Sequence, residues 1–350
     1  MKITAIPVSR LQFRAPPRLL ARLSDFVTLV KPRVMLLAVF TAVVGLMIAP
    51  THLDPLLGAT AIVAIAMGAG AAGALNMWYD ADIDRIMTRT AMRPIPRGRV
   101  SRLQALLFGL ILAGSSVSVL GFVLNVTAAA LLATAIILYV VVYTVWLKRR
   151  TPLNIVIGGA AGALPPVIGW SAATGEIGIE PLVLFLIIFL WTPPHFWALS
   201  LDRNDEYARA GVPMLTVVSG STATARQILI YSVLLVPVSM LPCVFGFAGP
   251  IYGATAVLCG AILVVLALQV GNSGSVDRKA ARRLFGFSIL YLFVLFAALL
   301  ASGSDRASSI HYRSADCSGL ERIETSASPT AIGAPCSCNR VREDEVDHAA

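Results

Sequence analysis

The chain has 350 residues, of which 57% are hydrophobic and 13% are charged, and its mean hydropathy is +0.78. Because soluble domains contain about 25% charged residues, this composition excludes an ordinary soluble protein and indicates a polytopic membrane protein. The formal net charge is +9. Its Lys and Arg residues are dispersed along the chain, which argues against nucleic acid as a partner, since such binding needs them gathered on one soluble face.

The first 25 residues are rich in Arg and contain no acidic residue before Asp25. That pattern is typical of membrane-surface arms and of organellar transit peptides, and no apolar segment of the signal-peptide type precedes Val27. We interpret residues 1–25 as a basic arm on the cytoplasmic side of a bacterial inner membrane. A mitochondrial presequence, and hence the mitochondrial inner membrane, is the alternative.

Nine apolar segments are long enough to span a bilayer, which takes roughly 17 to 25 residues. They predict an all-α membrane protein with its transmembrane domain at residues 26–301. The predicted helices cover residues 29–50, 56–78, 103–123, 126–147, 153–173, 181–201, 227–247, 250–270 and 284–301. Pro165-Pro166 and Pro193-Pro194 predict interruptions, or at least kinks, in the fifth and sixth of these helices.

Basic residues fall in alternate loops between the predicted helices. Segments 1–33 and 85–102 hold seven and six of them, whereas loops 51–55 and 172–180 hold none. The positive-inside rule then places the N-terminus and the loops after helices 2, 4, 6 and 8 in the cytoplasm. Because the number of helices is odd, the C-terminus is expected outside.

Asn76, Asp80 and Asp84 follow a long uncharged segment and lie at positions i, i+4 and i+8. On an α-helix this spacing gives a stripe of one amide and two carboxylates about 12 Å long. Mg²⁺ binds one or two carboxylates and completes its shell with water and phosphate oxygens, so it would relieve the repulsion between them. The stripe therefore predicts a diphosphate held over a metal ion. The alternative is a polar helix end whose Asp and Arg residues are paired and solvated.

Cationic side chains follow the stripe, and guanidinium groups bind phosphate through two parallel hydrogen bonds. They are Arg85, Arg89, Arg93, Arg97 and Arg99. A second basic cluster, Lys148-Arg149-Arg150, comes directly after the fourth predicted helix.

The loop after the sixth helix has a second group of closely spaced acidic residues. Asp202 and Glu206 are again at i and i+4, with Asp205 beside Glu206. We therefore interpret the chain as two four-helix halves, each with an acidic and then a basic loop, plus one further helix. The two acidic patches are predicted to face each other across a central cavity, each with its own Mg²⁺.

His195, flanked by aromatic residues and the second proline pair, has two interpretations. Such a histidine is most often hydrogen-bonded in place, or it contacts a flat aromatic substrate or an iron atom. Residues 302–350 turn polar and predict a disordered tail. There the Cys336/Cys338 pair has the spacing for metal binding or oxidation, without predicted structure to support it.

These motifs resemble those of the UbiA superfamily of intramembrane prenyltransferases, and within it the branch that farnesylates haem. The resemblance covers roughly residues 26–301. Its most specific stretches are residues 31–33, 76–84, 93–98, 143–159, 162–170 and 194–215. The first acidic motif marks the superfamily, while residues 154–170 and 195–215 point to the haem branch.

The resemblance implies transfer of farnesyl from farnesyl diphosphate to a vinyl group of haem B, with addition of water, to give haem O. Asn76, Asp80 and Asp84 would carry the first Mg²⁺, and Asp202 and Glu206 the second. Arg89, Arg93 and Lys148 would neutralise the diphosphate, with Asp80, Asp84 and Lys148 as the catalytic residues. His195 would contact haem, and Asp205 and Glu206 would contact substrate, which leaves the ligating acid of the second motif open. Haem A synthase or terminal-oxidase assembly factors are the partners implied.

Three alternatives remain at this point. A transporter or cation channel predicts acids near mid-bilayer, whereas these acids lie at helix ends among arginines. A CDP-alcohol phosphotransferase also groups aspartates around divalent metal, but its Asp-Gly and Ala-Arg pattern does not precede Asp80. A UbiA relative acting on a quinone precursor or another aromatic acceptor would share the metal and diphosphate chemistry and differ only in the acceptor pocket.

Overall fold

The computed structural model of the protein describes residues 23–271 and 277–324, and their regular secondary structure is helical. The α-helices are α1 (Leu23–Leu29), α2 (Pro32–Met47), α3 (Pro55–Tyr79), α4 (Ala81–Ile86), α5 (Arg102–Val119), α6 (Val126–Ile137), α7 (Asn154–Ala163), α8 (Pro165–Thr174), α9 (Ile179–Asp202), α10 (Asn204–Arg209), α11 (Leu215–Val218), α12 (Gly220–Ser239), α13 (Leu241–Val244), α14 (Pro250–Gly271) and α15 (Arg278–Glu324). Two π-helical segments, Leu120–Leu124 and Leu138–Leu147, continue α5 and α6.

Eight helices of the described residues are long and apolar enough to cross a membrane, and α1 with α2 gives a ninth span if the pair is counted together. The predicted all-α membrane protein of about nine helices is therefore confirmed. The first span differs from its prediction, because it is bent by 56° between α1 and α2. Pro32 begins α2 at the bend, where a proline starts a helix without losing a hydrogen bond.

The two proline pairs behave differently. Pro165 begins α8, so the fifth predicted helix is divided at Leu164. Pro193 and Pro194 lie inside α9, which continues unbroken, so the predicted interruption there is wrong. Neighbouring groups in a packed bundle can satisfy the backbone carbonyls that a proline releases.

Two apolar clusters form most of the core. One joins buried residues of α2, α3, α6 and α8, and the other joins α9, α12, α14 and α15. Helix α2 contributes to both, through Ala42 and Val44. Helix α15 returns to α2, where the rings of Phe40 and Phe293 lie 4.8 Å apart. The first cluster includes α8, which comes from the fifth predicted helix, and the second includes α15, the predicted extra helix.

Helices α2 and α8 approach so closely that their contact requires glycine. A Cβ atom at Gly45 would lie 2.1 Å from the Pro166 carbonyl oxygen, and one at Gly169 would lie 2.1 Å from that of Ala42. Real Cβ atoms do not approach oxygen this closely, so backbone would have to move. The two glycines therefore set how closely α2 and α8 can pack.

Helix α15 continues past Ser302 to Glu324, and the chain divides into two compact units after Ser304. The disorder predicted for residues 302–350 and the domain boundary at 301 stay predictions. The basic arm lies outside the described residues except for Leu23 to Asp25, and Cys336 and Cys338 lie outside them entirely.

Candidate active site

The stripe Asn76, Asp80 and Asp84 is buried at the junction of α3 and α4. The backbone N–H of Asp80 donates to Asn76 O at 2.9 Å, and that of Asp84 donates to Asp80 O at 2.8 Å. Helical hydrogen bonds therefore continue across the junction and keep the predicted i, i+4, i+8 spacing. The three residues are 4%, 0% and 3% exposed, so they face the protein interior, away from lipid and bulk solvent.

Each residue of the stripe accepts a hydrogen bond from a cation, and the three cations come from different parts of the chain. Lys31 Nζ donates to Asn76 Oδ1 at 2.6 Å. Lys148 Nζ donates to Asp80 Oδ2. Arg93 Nη1 donates to both carboxylate oxygens of Asp84, at 2.8 and 2.7 Å. The predicted meeting of carboxylates and phosphate-binding cations is therefore present in the fold.

The amide of Asn76 is fixed in one orientation by its three contacts. Its Nδ2 donates to Asp80 Oδ2 at 2.8 Å and to Thr144 Oγ1 at 3.0 Å, while Oδ1 accepts from Lys31. Thr144 in turn donates to Tyr139 O at 2.7 Å. That carbonyl is five residues back, in the π-helical segment, and π-helical turns are frequent at functional sites.

Asp82 points to the other side of α4 and binds Arg149. The Arg149 guanidinium donates to Asp82 through two nitrogens, each at 2.8 Å, and its Cζ lies 4.8 Å from the centre of the Tyr79 ring. These hydrogen bonds hold the pKa of the Asp82 carboxyl at about 2, below its usual 3.8. Arg149 also lies 3.7 Å from Asp80 Oδ1, a buried oxygen without a hydrogen-bond partner.

The remaining arginines of the first basic run lie away from the stripe. Arg89, predicted to bind diphosphate, is exposed. Arg97 contacts Met92, and Arg99 forms an ion pair with Asp25 at 3.1 Å. Among the arginines of this run, the hydrogen bonds of the described residues join only Arg93 to the stripe.

The second acidic motif lines a pocket of about 430 Å³ whose walls are all charged. Asp202 binds Arg282 at 2.6 Å, Asp205 binds Arg278 at 3.1 Å, and Glu206 binds Arg203 at 3.1 Å. The pocket is lined by Asp202, Arg203, Asp205, Glu206, Arg209, Arg278 and Arg282. Asp205 is largely exposed, whereas Glu206 is buried and its Oε2 has no hydrogen-bond partner.

An apolar cluster joins the segments that follow the two motifs. Ile83 and Met87, from the first motif and the loop after it, pack with Val212 and Met214, which follow α10, and Tyr207 borders the same cluster. The cluster brings the segments that follow the two acidic motifs into direct contact.

His195 is buried in α9 between two aromatic rings. Its ring centroid lies 4.4 Å from that of Trp191 and 4.6 Å from that of Phe285, both nearly parallel. Two parallel rings at these distances occupy opposite faces of the imidazole, so only its edge can meet a ligand. Its Nδ1 lies 2.7 Å from Ser288 Oγ.

The proton of His195 can be assigned from its partner. Ser288 Oγ donates its single proton to Phe285 O at 2.7 Å, so it accepts from His195 Nδ1. This tautomer leaves Nε2 with a free lone pair.

Comparison with known proteins places the chain in a family. The family model described as "UbiA prenyltransferase family" matches residues 38–304. The chain belongs to this family. The UbiA match contains the whole stripe, Lys148, His195 and the second motif, and it excludes the transporter and phosphotransferase alternatives.

Curated relatives of this UbiA chain carry a more specific name. A protoheme IX farnesyltransferase of Afipia carboxidovorans is 60% identical over 281 residues, which cover 80% of this chain and 90% of the relative. One from Rhodopseudomonas palustris is 56% identical over 300 residues, covering 85% and 96%. One from Parvibaculum lavamentivorans is 57% identical over 303 residues, covering 86% and 95%.

Solved structures have the same fold at low sequence identity. A digeranylgeranylglyceryl phosphate synthase matches with a TM-score of 0.68 and 17% identity, covering 80% of this chain and 98% of the other. A UbiA homolog from Archaeoglobus fulgidus, bound to DMAPP and Mg²⁺, matches with a TM-score of 0.62 and 17% identity, covering 78% and 99%. These likenesses establish the UbiA fold.

The side chains of the stripe suit a Mg²⁺ ion that binds together with a diphosphate. The described residues contain no group of three or more His, Cys, Asp and Glu side chains placed to hold a metal by themselves. One or two carboxylates are nevertheless the usual protein ligands when phosphate oxygens complete the shell. The Oδ1 atom of Asp80, which is buried and has no hydrogen-bond partner, supports this assignment.

Three residues near the stripe were not predicted as site residues from the sequence. Lys31 and Thr144 contact Asn76, and Arg149 contacts Asp82. Lys31 and Arg149 lie in basic segments of the sequence, but no local pattern gives either of them a partner. Thr144 gives no local signal, because its role depends on the π-helical turn that aims it at Asn76.

Proposed function

We propose that this UbiA prenyltransferase transfers farnesyl from farnesyl diphosphate to a vinyl group of haem B and so makes haem O. The buried stripe with one cation on each residue carries the proposal, because it combines metal-binding oxygens with phosphate-binding groups at one helix end. Relatives at 56–60% identity, all called protoheme IX farnesyltransferase, support haem as the acceptor.

The cations of the stripe would bind the diphosphate by exchanging partners. Lys148 and Arg93 now bind Asp80 and Asp84. Mg²⁺ held by Asp80 and Asp84, with Asn76 as a further oxygen donor, would supply positive charge to the diphosphate as its bond to carbon breaks. Lys148 and Arg93 would then turn from these carboxylates to the diphosphate oxygens. Arg89, which is exposed, would join them only after a loop movement.

The reaction needs no protein nucleophile. The bond between C1 of farnesyl and oxygen breaks, and its electron pair leaves with the diphosphate. The π electrons of the haem vinyl group form the new bond to C1, and water captures the resulting cation beside the porphyrin and releases a proton. The chain would contribute preorganised positive charge at the leaving group and apolar helices that keep bulk water from the cation.

The second motif is proposed to hold a second Mg²⁺ through Asp202 and Glu206. The buried, unpartnered Oε2 of Glu206 favours this residue over Asp205 as the ligand. Asp205 is largely exposed and bound to Arg278, so it would contact substrate or solvent at the mouth of the pocket. In both motifs, the cations that now bind carboxylates would exchange them for the diphosphate.

His195 is proposed to contact haem through Nε2. The aromatic rings on its two faces exclude stacking on a porphyrin, whereas the free lone pair at its edge suits the haem iron. Ser288 keeps the proton on Nδ1, as hydrogen-bonded partners do for metal-binding histidines. The residue lies about 10 Å along α9 from Asp202, given 1.5 Å per residue.

The apolar helices make this an integral membrane protein, and the bacterial inner membrane is its proposed location. The distribution of Lys and Arg supports a cytoplasmic N-terminus and an external C-terminus. The organisms of the three relatives compared above are bacterial, which favours this membrane over the mitochondrial one. Haem A synthase or terminal-oxidase assembly factors are the proposed partners for the product.

The test is a reconstitution with both substrates. Protein in nanodiscs is incubated with farnesyl diphosphate, haem B and Mg²⁺, and the products are analysed by mass spectrometry. We expect haem O, and none when Mg²⁺ is chelated. Prenylation of an added aromatic quinone precursor in place of haem would move the protein to the quinone branch of the family.

A further inference from the structure

Lys31 has a backbone conformation that lysine rarely adopts. Its φ and ψ are 53° and 56°, in the left-handed region, and no other non-glycine residue of the described chain has a positive φ. The left-handed conformation is unfavourable for a residue with a Cβ atom. A residue held there at the bend between α1 and α2 is a candidate for a functional position.

Helix α3 is shaped to receive this bend. Cβ atoms built at Gly70 and Gly73 would lie 3.0 Å from Val30 and 3.4 Å from the Leu29 and Val30 carbonyl oxygens, respectively. The Cδ atom of Lys31 lies 3.6 Å from the same point above Gly73. The two glycines thus let the strained turn lie against α3, which brings the Lys31 ammonium to the stripe one turn further on.

Lys31 differs from the other two cations of the stripe in its partner. Lys148 and Arg93 bind carboxylates, which neutralise them. Lys31 donates to the neutral amide oxygen of Asn76, and no ion pair of the described residues includes it. Because this contact is an amide and not a carboxylate, exchanging it for an anion breaks no ion pair.

We propose that Lys31 is a diphosphate-binding residue that leaves Asn76 when the substrate binds. The inference rests on the proposed function, since it assigns a third cation to the same diphosphate. Movement of the ammonium from Asn76 Oδ1 to a diphosphate oxygen would also free that amide oxygen for Mg²⁺. Lys31, Arg93 and Lys148 would then surround the leaving group from three separate segments of the chain.

The test measures binding of inorganic pyrophosphate, with Mg²⁺ present, to the purified full-length protein by calorimetry. We expect Lys31→Gln to weaken binding about tenfold or more, in line with the loss of one charged hydrogen bond. Lys31→Arg should recover part of the loss. The control is Arg33→Gln, two residues away and exposed, which should stay within about twofold of the wild type.

A double variant separates direct binding from an effect through Asn76. If Lys31 binds the diphosphate, Lys31→Gln should weaken pyrophosphate binding in an Asn76→Ala background as well. Equal affinities of Asn76→Ala and the double variant would overturn the proposal, because Lys31 would then only orient the amide. Lys31→Met, close in length, replaces Lys31→Gln if thermal unfolding shows that the glutamine variant is misfolded.

Two further outcomes are decisive. Unchanged pyrophosphate affinity in Lys31→Gln together with a raised KM for haem B would show that Lys31 binds a carboxylate of the acceptor, and the inference would be wrong. A wild-type protein that binds no pyrophosphate with Mg²⁺ would overturn the proposed function and this inference together. If the wild type binds pyrophosphate and Lys31→Gln binds it equally well, only the inference about Lys31 is wrong.

Discussion

Arg93 binds Asp84 through a single nitrogen, with Nη1 at 2.8 Å from Oδ1 and 2.7 Å from Oδ2. Its side chain is 20% exposed, while that of Asp84 is 4% exposed. The carboxylate is therefore fully held by one end of the guanidinium. The Nη2 group makes no hydrogen bond to Asp84, so it is the group that would reach a phosphate oxygen first when Arg93 exchanges Asp84 for the diphosphate.

Arg93→Lys tests whether the Nη2 group of Arg93 binds the diphosphate. Lysine keeps the charge and can still pair with Asp84, but it lacks the second planar donor group. We expect the KM for farnesyl diphosphate to rise about tenfold, a change of about 1.4 kcal/mol, with thermal unfolding nearly unchanged. Arg97→Lys, an exposed change in the same run, is the control. A wild-type KM in Arg93→Lys would show that the guanidinium serves Asp84 alone.

Comparing Asp80→Asn with Asp82→Asn distinguishes a catalytic carboxylate of the stripe from the exposed carboxylate beside it. The first removes a buried carboxylate charge beside Lys148, and the second removes an exposed charge two residues away. We expect haem O formation to fall about 100-fold or more in Asp80→Asn and to stay near the wild-type rate in Asp82→Asn. Mass spectrometry of timed reactions gives both rates. Equal losses in the two variants would contradict the assigned stripe.

Ser288→Ala tests the hydrogen bond that sets the His195 tautomer. Without its acceptor on Nδ1, the imidazole can move its proton to Nε2 and lose the lone pair proposed to meet haem. Loss of such a partner typically costs 10–100-fold in metal affinity. We expect a corresponding rise in the KM for haem B and none in that for farnesyl diphosphate. Ser302→Ala removes a buried hydroxyl from the same helix and should change neither KM.

Gly169→Ala tests the close contact of α2 and α8. Its new Cβ would lie 2.1 Å from Ala42 O, so the helices must separate. We expect a loss of about 1–3 kcal/mol of stability, as for other overpacked sites, measured as a lower thermal unfolding temperature. Gly162→Ala is the matched control, because nothing lies within 4 Å of its Cβ. There alanine should stabilise the helix slightly.

The Asp82–Arg149 pair predicts a simple pH dependence of stability. The folded-state pKa of Asp82 is lowered to about 2 from 3.8. Its contribution is therefore complete above the unfolded-state pKa and is lost only as the pH falls toward 2. The difference in unfolding temperature between wild type and Asp82→Asn should be the same at pH 5 and pH 8. A difference that grows between these values would assign the pair another titrating partner.

The sequence alone determined the helices and the spacing of the acidic stripe. Both depend on local properties: runs of apolar residues set the spans, and helical geometry fixes which side chains align at i and i+4. The predicted spans therefore lie close to the observed ones, and Asn76, Asp80 and Asp84 share one buried face. The resemblance added the chemistry, because the residues themselves do not name an acceptor.

Only the tertiary structure decided which partner each polar side chain has. Lys31 is 45 residues from Asn76, Lys148 is 68 from Asp80, and Ser288 is 93 from His195. No local pattern contains such pairs, because they follow from how distant helices pack and where they bend. The strained turn at Lys31 and the π-helical turn at Thr144 both lie against α3, so their contacts with Asn76 form only in the folded bundle.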